Sequence, residues 1–185
     1  MNNKAIYKLT YGLFVLSAFT KGKHNGCIIN TAAQVTSSPN RISIAVNKAN
    51  LTHDIIMETG LFNVSVISEE AQFKLFERFG FQSGRDVDKF KEMNLTKLPG
   101  QKVKAPLIAE SPVNIECKVT QSVKLGTHVM FLATVEAVTV DDAYMDEKNT
   151  FHLNQADPIV YSHGEYYTLD KMIGKFGYSV RKKKK

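Results

Sequence analysis

Tryptophan is missing from the 185 residues, and cysteine (two) and histidine (five) are sparse. Cys27 and Cys117 form neither a C-x-x-C pair nor a zinc-type spacing. Each falls in an apolar strand pattern where cysteine packs as a small hydrophobe, which suits a reducing compartment. His24, His53, His128, His152 and His163 show no H-x-x-x-H or H-E-x-x-H pairing, so no protein-held metal is expected. Apolar runs of transmembrane length are absent, and the first residues, with Lys4 and Lys8 in a short mixed segment, lack the apolar centre of a signal peptide. A cytoplasmic protein without membrane contact is expected.

The charge is less informative than it looks. The net charge is +6, but Arg181–Lys185 supplies five positive charges, and taking those five from six leaves +1 for residues 1–180. Basicity of this kind is a tail, and aromatics interleaved with basic residues are absent, so no nucleic-acid partner is expected. At 43% hydrophobic residues the chain is long enough for one well-buried core. The expectation is a single domain over 1–180 with a basic tail over 181–185.

The pattern along the chain is mostly β. Leu13–Phe19 reads as a buried strand, turning through the Gly-rich Lys21–Gly26 into the next run. Arg41–Val46 and Phe62–Ile67 follow as strands. Between them Thr52 is a plausible N-cap for a short helix carrying Ile55, Ile56 and Met57 and ending at Gly60. Ser68, followed by Glu69 and Glu70, heads a second helix with Ala71, Leu75, Phe76 and Phe79 at helical spacing until Gly80. Residues 81–111 form a long connection with one possible helical turn near Ser83–Phe90. Val113–Val123 and His128–Val138 form a long antiparallel pair about Gly126, and Ile159–Tyr161 and Tyr166–Thr168 are short strands before a weak helix over Leu169–Phe176. Without β-α-β alternation, this is an α+β chain, mainly β, built on an antiparallel barrel or sandwich with a few flanking helices.

One segment stands out chemically. Asn30–Pro39 is a run of small and polar residues where bulky apolar ones would serve packing alone. Asn, Thr, Ala and Gln leave the backbone open to a flat polar ligand, as one wall of a cofactor site requires. No G-x-G-x-x-G follows a strand, so a Rossmann-type nicotinamide site is not encoded.

Asn25-Gly26 with Asn30–Gln34, Ser38-Pro39, Asn47–Thr52, Gly60–Val64, Asp88–Phe90, Pro106-Leu107, Ile115–Cys117, Gly126–His128 and Pro158–Tyr161 occur in an order that resembles the flavin reductase-like family of split-barrel FMN-binding proteins. The stretch Ser83–Phe90 is similar to the flavoredoxin side of that family. Cys27-Ile28 stands where many members carry Met-Thr. The resemblance implies an FMN-binding split β-barrel and a homodimer with FMN near the subunit interface. NAD(P)H is implied as electron donor, with a rubredoxin or other small redox protein as possible partner. It further implies that Asn30, Thr31, Ala32, Ala33 and Gln34 meet the ring system. Asn47, Lys48, Asn50 and Thr52 would serve the ribityl chain and phosphate, and Lys89, His128 and Tyr161 would add flavin contacts. His128 is also the candidate on the nicotinamide side.

Taken singly, each residue has a plainer role. Thr52 serves as an N-cap, Lys48 as a solvated lysine, His128 as the cap of its turn, Asn30 and Gln34 as partners for a loop backbone, and Lys89 as one half of a surface ion pair with Asp86 or Asp88 worth less than about 1 kcal/mol. Two activities follow from the resemblance: a flavin reductase that takes hydride from NAD(P)H, or an electron carrier reduced and oxidised by partner proteins.

Overall fold

A computed structural model describes residues 9–71 and 73–174. The basic tail and the end of the predicted helix over Leu169–Phe176 lie outside the described residues, and the described part of that segment is not helical.

Seven strands form one antiparallel sheet in the order β3-β2-β6-β9-β10-β5-β4: β2 (Phe14–Thr20), β3 (Lys23–Ile29), β4 (Ala33–Ser37), β5 (Asn40–Asn47), β6 (Leu61–Val66), β9 (Val113–Leu125) and β10 (His128–Val140). A smaller sheet joins β1 (Thr10–Gly12), β11 (Val160–Ser162) and β12 (Glu165–Tyr167), and β7 (Lys97–Leu98) pairs with β8 (Leu107–Ile108). Among the described residues three short α-helices flank them, α1 (Leu51–Thr59), α2 (Phe73–Phe81) and α3 (Lys89–Glu92). The predominance of antiparallel sheet agrees with the sequence pattern.

Alternation along β2 divides the interior. Leu16 and Ala18 point into a core with Ile44, Val46, Phe62, Val64, Phe131 and the inward side of α1. Val15 points the other way, into a second cluster with Leu75, Phe76, Phe79, Phe90 and Ile108 under α2 and α3. Phe62, Phe79, Phe90 and Phe131 are fully buried, each stabilising the fold by roughly 2–3 kcal/mol. Both cysteines are free and buried, and burial with the nearby Glu136 and Glu116 charges pushes the Cys117 thiol up to about 12.

Four boundaries differ from the sequence expectation, each for a local reason. The run 30–39 is not an open connection, because Ala33–Ser37 zips onto β5 as an exposed edge strand. Asn25 and Gly26 belong to β3, the turn being confined to Lys21-Gly22. The cap of α1 is Asn50, not Thr52, while the helix ends at Gly60, whose φ of 68° suits a left-handed C-terminus. Helix α2 starts at Phe73 rather than after Ser68, which is drawn into a bridge with Pro158 and supported by Glu69 N–H donating to Asp157 O at 2.9 Å.

A buried polar seam ties the 99–111 connection to the large sheet. Ser17 Oγ donates to Pro106 O (2.6 Å), Ser65 Oγ donates to Asn114 Oδ1 (2.7 Å), and Asn114 Oδ1 also accepts from Ile108 N–H (3.0 Å). Glu116, with no exposed surface, accepts from the N–H groups of Gln101, Lys102 and Val103 at 2.8–2.9 Å.

Candidate functional site

The end of β5 organises one corner of the molecule. Asn47 faces His128 across the β5–β10 ladder, and its Oδ1 accepts from Ala49 N–H at 2.9 Å, an Asx turn that bends the chain into α1. Lys48 fixes this turn to the tip of the β9–β10 hairpin: its N–H donates to Thr127 O (3.0 Å) and its Nζ to Gly126 O (2.5 Å). Asn50 has extended backbone and supplies no side-chain hydrogen bond to the helix start. His128 is half-buried beside the turn, its Nδ1 2.8 Å from Thr127 Oγ1.

A second wall comes from residues 83–89. A Cβ on Gly84 would lie 1.7 Å from Asn25 Oδ1, so this turn can press against Asn25 only as glycine. Asn25 Nδ2 in turn donates to Thr52 Oγ1 at 2.8 Å inside the fold. Arg85 then reaches across, Nη1 donating to Ala49 O (3.0 Å) and Nη2 to Asp54 Oδ2 (2.6 Å). Gly84→Ala is therefore expected to lift the turn from Asn25 and to cost about 1–3 kcal/mol by the usual scale for overpacking. Urea denaturation checks the cost, and a midpoint equal to wild type would contradict the packing.

Lys89 closes the corner. It is 4% exposed, its Nζ donates to Gly26 O at 2.9 Å and lies 5.7 Å from the centroid of Phe79, and no carboxylate among the described residues comes within ion-pair distance. Burial pushes its pKa down, partly opposed by Cys27. The plainer alternative of a surface pair with Asp86 or Asp88 is not formed: Asp88 caps α3 by accepting from Lys91 N–H, and the Lys89 ammonium points inward.

The other predicted residues divide. Thr52 is fully buried with its hydroxyl on Asn25, so it shapes the turn from beneath and has no surface to offer a ligand in this conformation. Thr31 Oγ1 donates to Ala45 O (2.9 Å) and accepts from Ala45 N–H (3.1 Å), clamping the end of β3 to β5. Ala32, Ala33 and Gln34 line a cavity of about 330 Å³ with Phe14, Ile42, Val64 and Val135, although Gln34 Nε2 also donates to Asn40 Oδ1 (3.1 Å) across its own hairpin. Asn30 is half-buried just ahead of this cavity. Tyr161 lies in the smaller sheet, its ring 5.7 Å from Tyr166 and packed against the second core, and no described hydrogen bond links it to the other candidates. A larger cavity, about 510 Å³, opens beside Val15, Leu75, Glu92, Met93 and Ile108 and contains none of the predicted residues. It sits over the second core, whereas the polar loops and cations gather at the end of β5.

Arg85 and Asp54 are the residues that sequence reading missed here. The signal available was the polar run Ser83–Asp88 directly ahead of Lys89, inside a connection long enough to carry function.

Residues 6–170 match the family described as flavin reductase like domain. The chain is 34% identical over 155 residues to a ferric-chelate reductase (NAD(P)H) of Archaeoglobus fulgidus, covering 83% of this chain and 90% of that protein. It is 35% identical over 164 residues to a high molecular weight rubredoxin of Moorella thermoacetica, covering 88% of this chain but only 65% of that longer protein. The flavoredoxin of Desulfovibrio vulgaris superposes with a TM-score of 0.85 at 27% identity, with 93% of each chain covered. The chain belongs to the flavin reductase-like family, and its mostly-β architecture is the split barrel of that family. Membership implies a flavin site. Among the described residues no helix is long and apolar enough to cross a membrane.

Proposed function

We propose that this chain is an FMN-dependent oxidoreductase that takes reducing equivalents from NAD(P)H and passes them to free flavin, oxygen or a small redox protein such as a rubredoxin, working as a cytoplasmic homodimer. The observation that carries the reading is Lys89, a buried ammonium with no carboxylate partner among the described residues, held on Gly26 O next to the Asn25 that bonds Thr52 in the first turn of α1. A desolvated cation of this kind is costly unless an anionic group shares its surroundings. The residues present suit an FMN: cations and backbone donors for a phosphate at the turn, and the small Ala32 and Ala33 beside an open cavity for a flat ring.

The flavin, when bound, supplies the hydride and electron chemistry. The chain's own residues bind and bias it. Lys48 and the start of α1 would hold its negative charge, and the Lys89 ammonium would add positive charge near it, which favours a reduced, more negative flavin. Small side chains at 32 and 33 would leave one face of the ring accessible to a nicotinamide, and His128, whose Nδ1 is 2.8 Å from Thr127 Oγ1, is the candidate acid–base group on that side. The similarity to a flavoredoxin and to a rubredoxin-named protein supports a second reading, an FMN electron carrier that exchanges electrons only with partner proteins.

Anaerobic titration of the flavin-loaded protein separates the two. Loss of visible absorbance on adding NADH or NADPH is expected of the reductase; bleaching only by a reduced protein donor would select the carrier. His128→Ala is expected to slow the nicotinamide-driven phase by at least about tenfold while FMN affinity stays within about twofold, as suits a proton-holding group. An unchanged rate would remove His128 from the reaction.

A further inference from the structure

The cavity of about 510 Å³ over the second core has no part in the reading above. Its volume falls in the range of about 300–1,000 Å³ in which proteins hold small organic molecules. The floor is apolar, formed by Val15, Ile67, Leu75, Met93, Leu95 and Ile108. The rim is acidic: Glu70, Glu92 and Glu110 stand there against a single lining ammonium, Lys74. Glu92 is shared with Arg78, whose Nε lies 3.3 Å away, and Glu110 accepts from Thr96 N–H at 2.8 Å. Glu70 pairs with no cation among the described residues, and neither does Lys74 with a carboxylate. Burial first, then the charges of Glu70, Asp141 and Asp157, push the Tyr144 phenol up, so the field on this side of the fold is negative.

A second observation is independent of the acids. Three serines line the cavity, and two are already engaged: Ser65 Oγ on Asn114 Oδ1, and Ser111 Oγ on Val66 O and Val113 O. Ser68 is only 5% exposed, its backbone is held by the bridge to Pro158 and by Ala71 N–H on its carbonyl, yet its hydroxyl bonds to nothing among the described residues. That hydroxyl is not among the polar atoms sealed inside the protein, so it opens onto the cavity that Ser68 lines.

We propose that this cavity is a binding site for a compact organic amine, with the apolar body over Leu75, Met93 and Ile108 and one ammonium at the rim between Ser68 and Glu70. An ammonium carries three donors and no acceptor, which suits a hydroxyl oxygen and carboxylates, and a charge-assisted bond at a half-dried rim is stronger than a neutral one. Lys74 is exposed, and its flexible stem lets its own ammonium turn to water. A phosphorylated ligand would meet three carboxylates, so neither FMN nor NAD(P)H suits this cavity. The site therefore stands or falls separately from the flavin reading.

The probes are 4-phenylbutylamine and 4-phenylbutanoate, which share a body and differ in the sign of the charge, titrated calorimetrically into the full chain with and without saturating FMN. The amine is expected to bind at least about tenfold more tightly than the carboxylate, the scale of a charge-assisted hydrogen bond, and equally well with FMN present. Ala71→Phe, which puts a ring into the cavity from a half-buried position, is expected to weaken the amine by at least about tenfold. Ser68→Ala should weaken the amine about threefold and leave the carboxylate unchanged, and the double variant Glu70→Gln, Glu110→Gln should bring the two probes within about threefold of each other. Failure of both probes to bind, equal affinity for the two, or an amine that competes with FMN would overturn the proposal. So would full amine affinity in a folded Ala71→Phe. A crystal soaked with the amine decides without any variant: nitrogen beside Ser68 and Glu70 supports the site, and amine bound only elsewhere refutes it. Protein that takes up the amine but no FMN would remove the flavin reading alone.

Discussion

Lys89→Met is expected to weaken FMN binding by at least about tenfold, the scale of a lost charge-assisted contact, while leaving the flavin-free protein as stable as wild type or more so. The two halves of this expectation have one cause. Lys89 is buried with a single carbonyl partner among the described residues and the face of Phe79, so at neutral pH its charge opposes folding, and methionine fills similar volume without that charge. The pH dependence follows from the sign of the shift. The folded-state pKa lies below the ordinary 10.5, so between the two values the unfolded chain holds more protons and stability rises with pH. Wild type should therefore gain stability as pH climbs through the depressed pKa towards the ordinary one, and Lys89→Met should lose that rise. FMN affinity of wild type should fall over the same window as the ammonium discharges. Urea midpoints and fluorescence titrations at neutral and alkaline pH measure both. A variant that loses stability and keeps FMN affinity would mean that Lys89 is structural.

Glu116→Ala is expected to destabilise the fold by about 3 kcal/mol or more, since removing the acceptor leaves up to three backbone donors without partners. For a chain of this length that corresponds to a fall in Tm of roughly 6–12 °C. The carboxylate has no exposed surface and collects the N–H groups of Gln101, Lys102 and Val103. Gly100 completes the turn: a Cβ there would meet Val103 O at 2.2 Å and Glu116 Oε2 at 2.9 Å. Once the clamp is lost, the 99–106 connection can leave the sheet and uncover the seam in which Ser17 and Asn63 donate to Pro106 O. Glu116→Gln keeps one acceptor and should lose less. Because this clamp belongs to the 99–106 connection and not to the Lys48–Asn50 turn, FMN affinity below the transition should be unchanged. A Tm within about 2 °C of wild type for Glu116→Ala, less than one lost bond would cost, would contradict the description.

Glu116 also shows where sequence reading stops. Along Val113–Cys117 apolar and polar residues alternate, which places Asn114 and Glu116 towards water, yet both are buried because the 99–111 connection folds back over that face. Only a contact distant in sequence turns a solvent face into an interior, and alternation carries no record of it. Strands β9 and β10 were legible because long regular alternation about Gly126 has few other solutions. The edge strand β4 was not, because Ala33–Ser37 is exposed throughout and owes its pairing to β5 rather than to burial.

The site was legible in part and for different reasons. Asn47 and His128 are ladder partners and Lys48 is tied to the hairpin tip beside them, whereas Lys89 sits on Gly26 O, and their order along the chain is what marked all four. Thr52 was misread as a cap because its partner, Asn25, lies on a strand 27 residues earlier. Arg85 was passed over because arginine in a polar loop is ordinary until its guanidinium is seen on the Ala49 carbonyl.

A crystal structure of the protein soaked with FMN tests the central claim most directly. The expected result is a phosphate at the Lys48–Asn50 turn within reach of Lys48 and a ring along Ala32 and Ala33, with Lys89 behind it. Flavin bound instead in the cavity beside Leu75 and Ile108, or a corner that stays empty at saturating FMN, would contradict it.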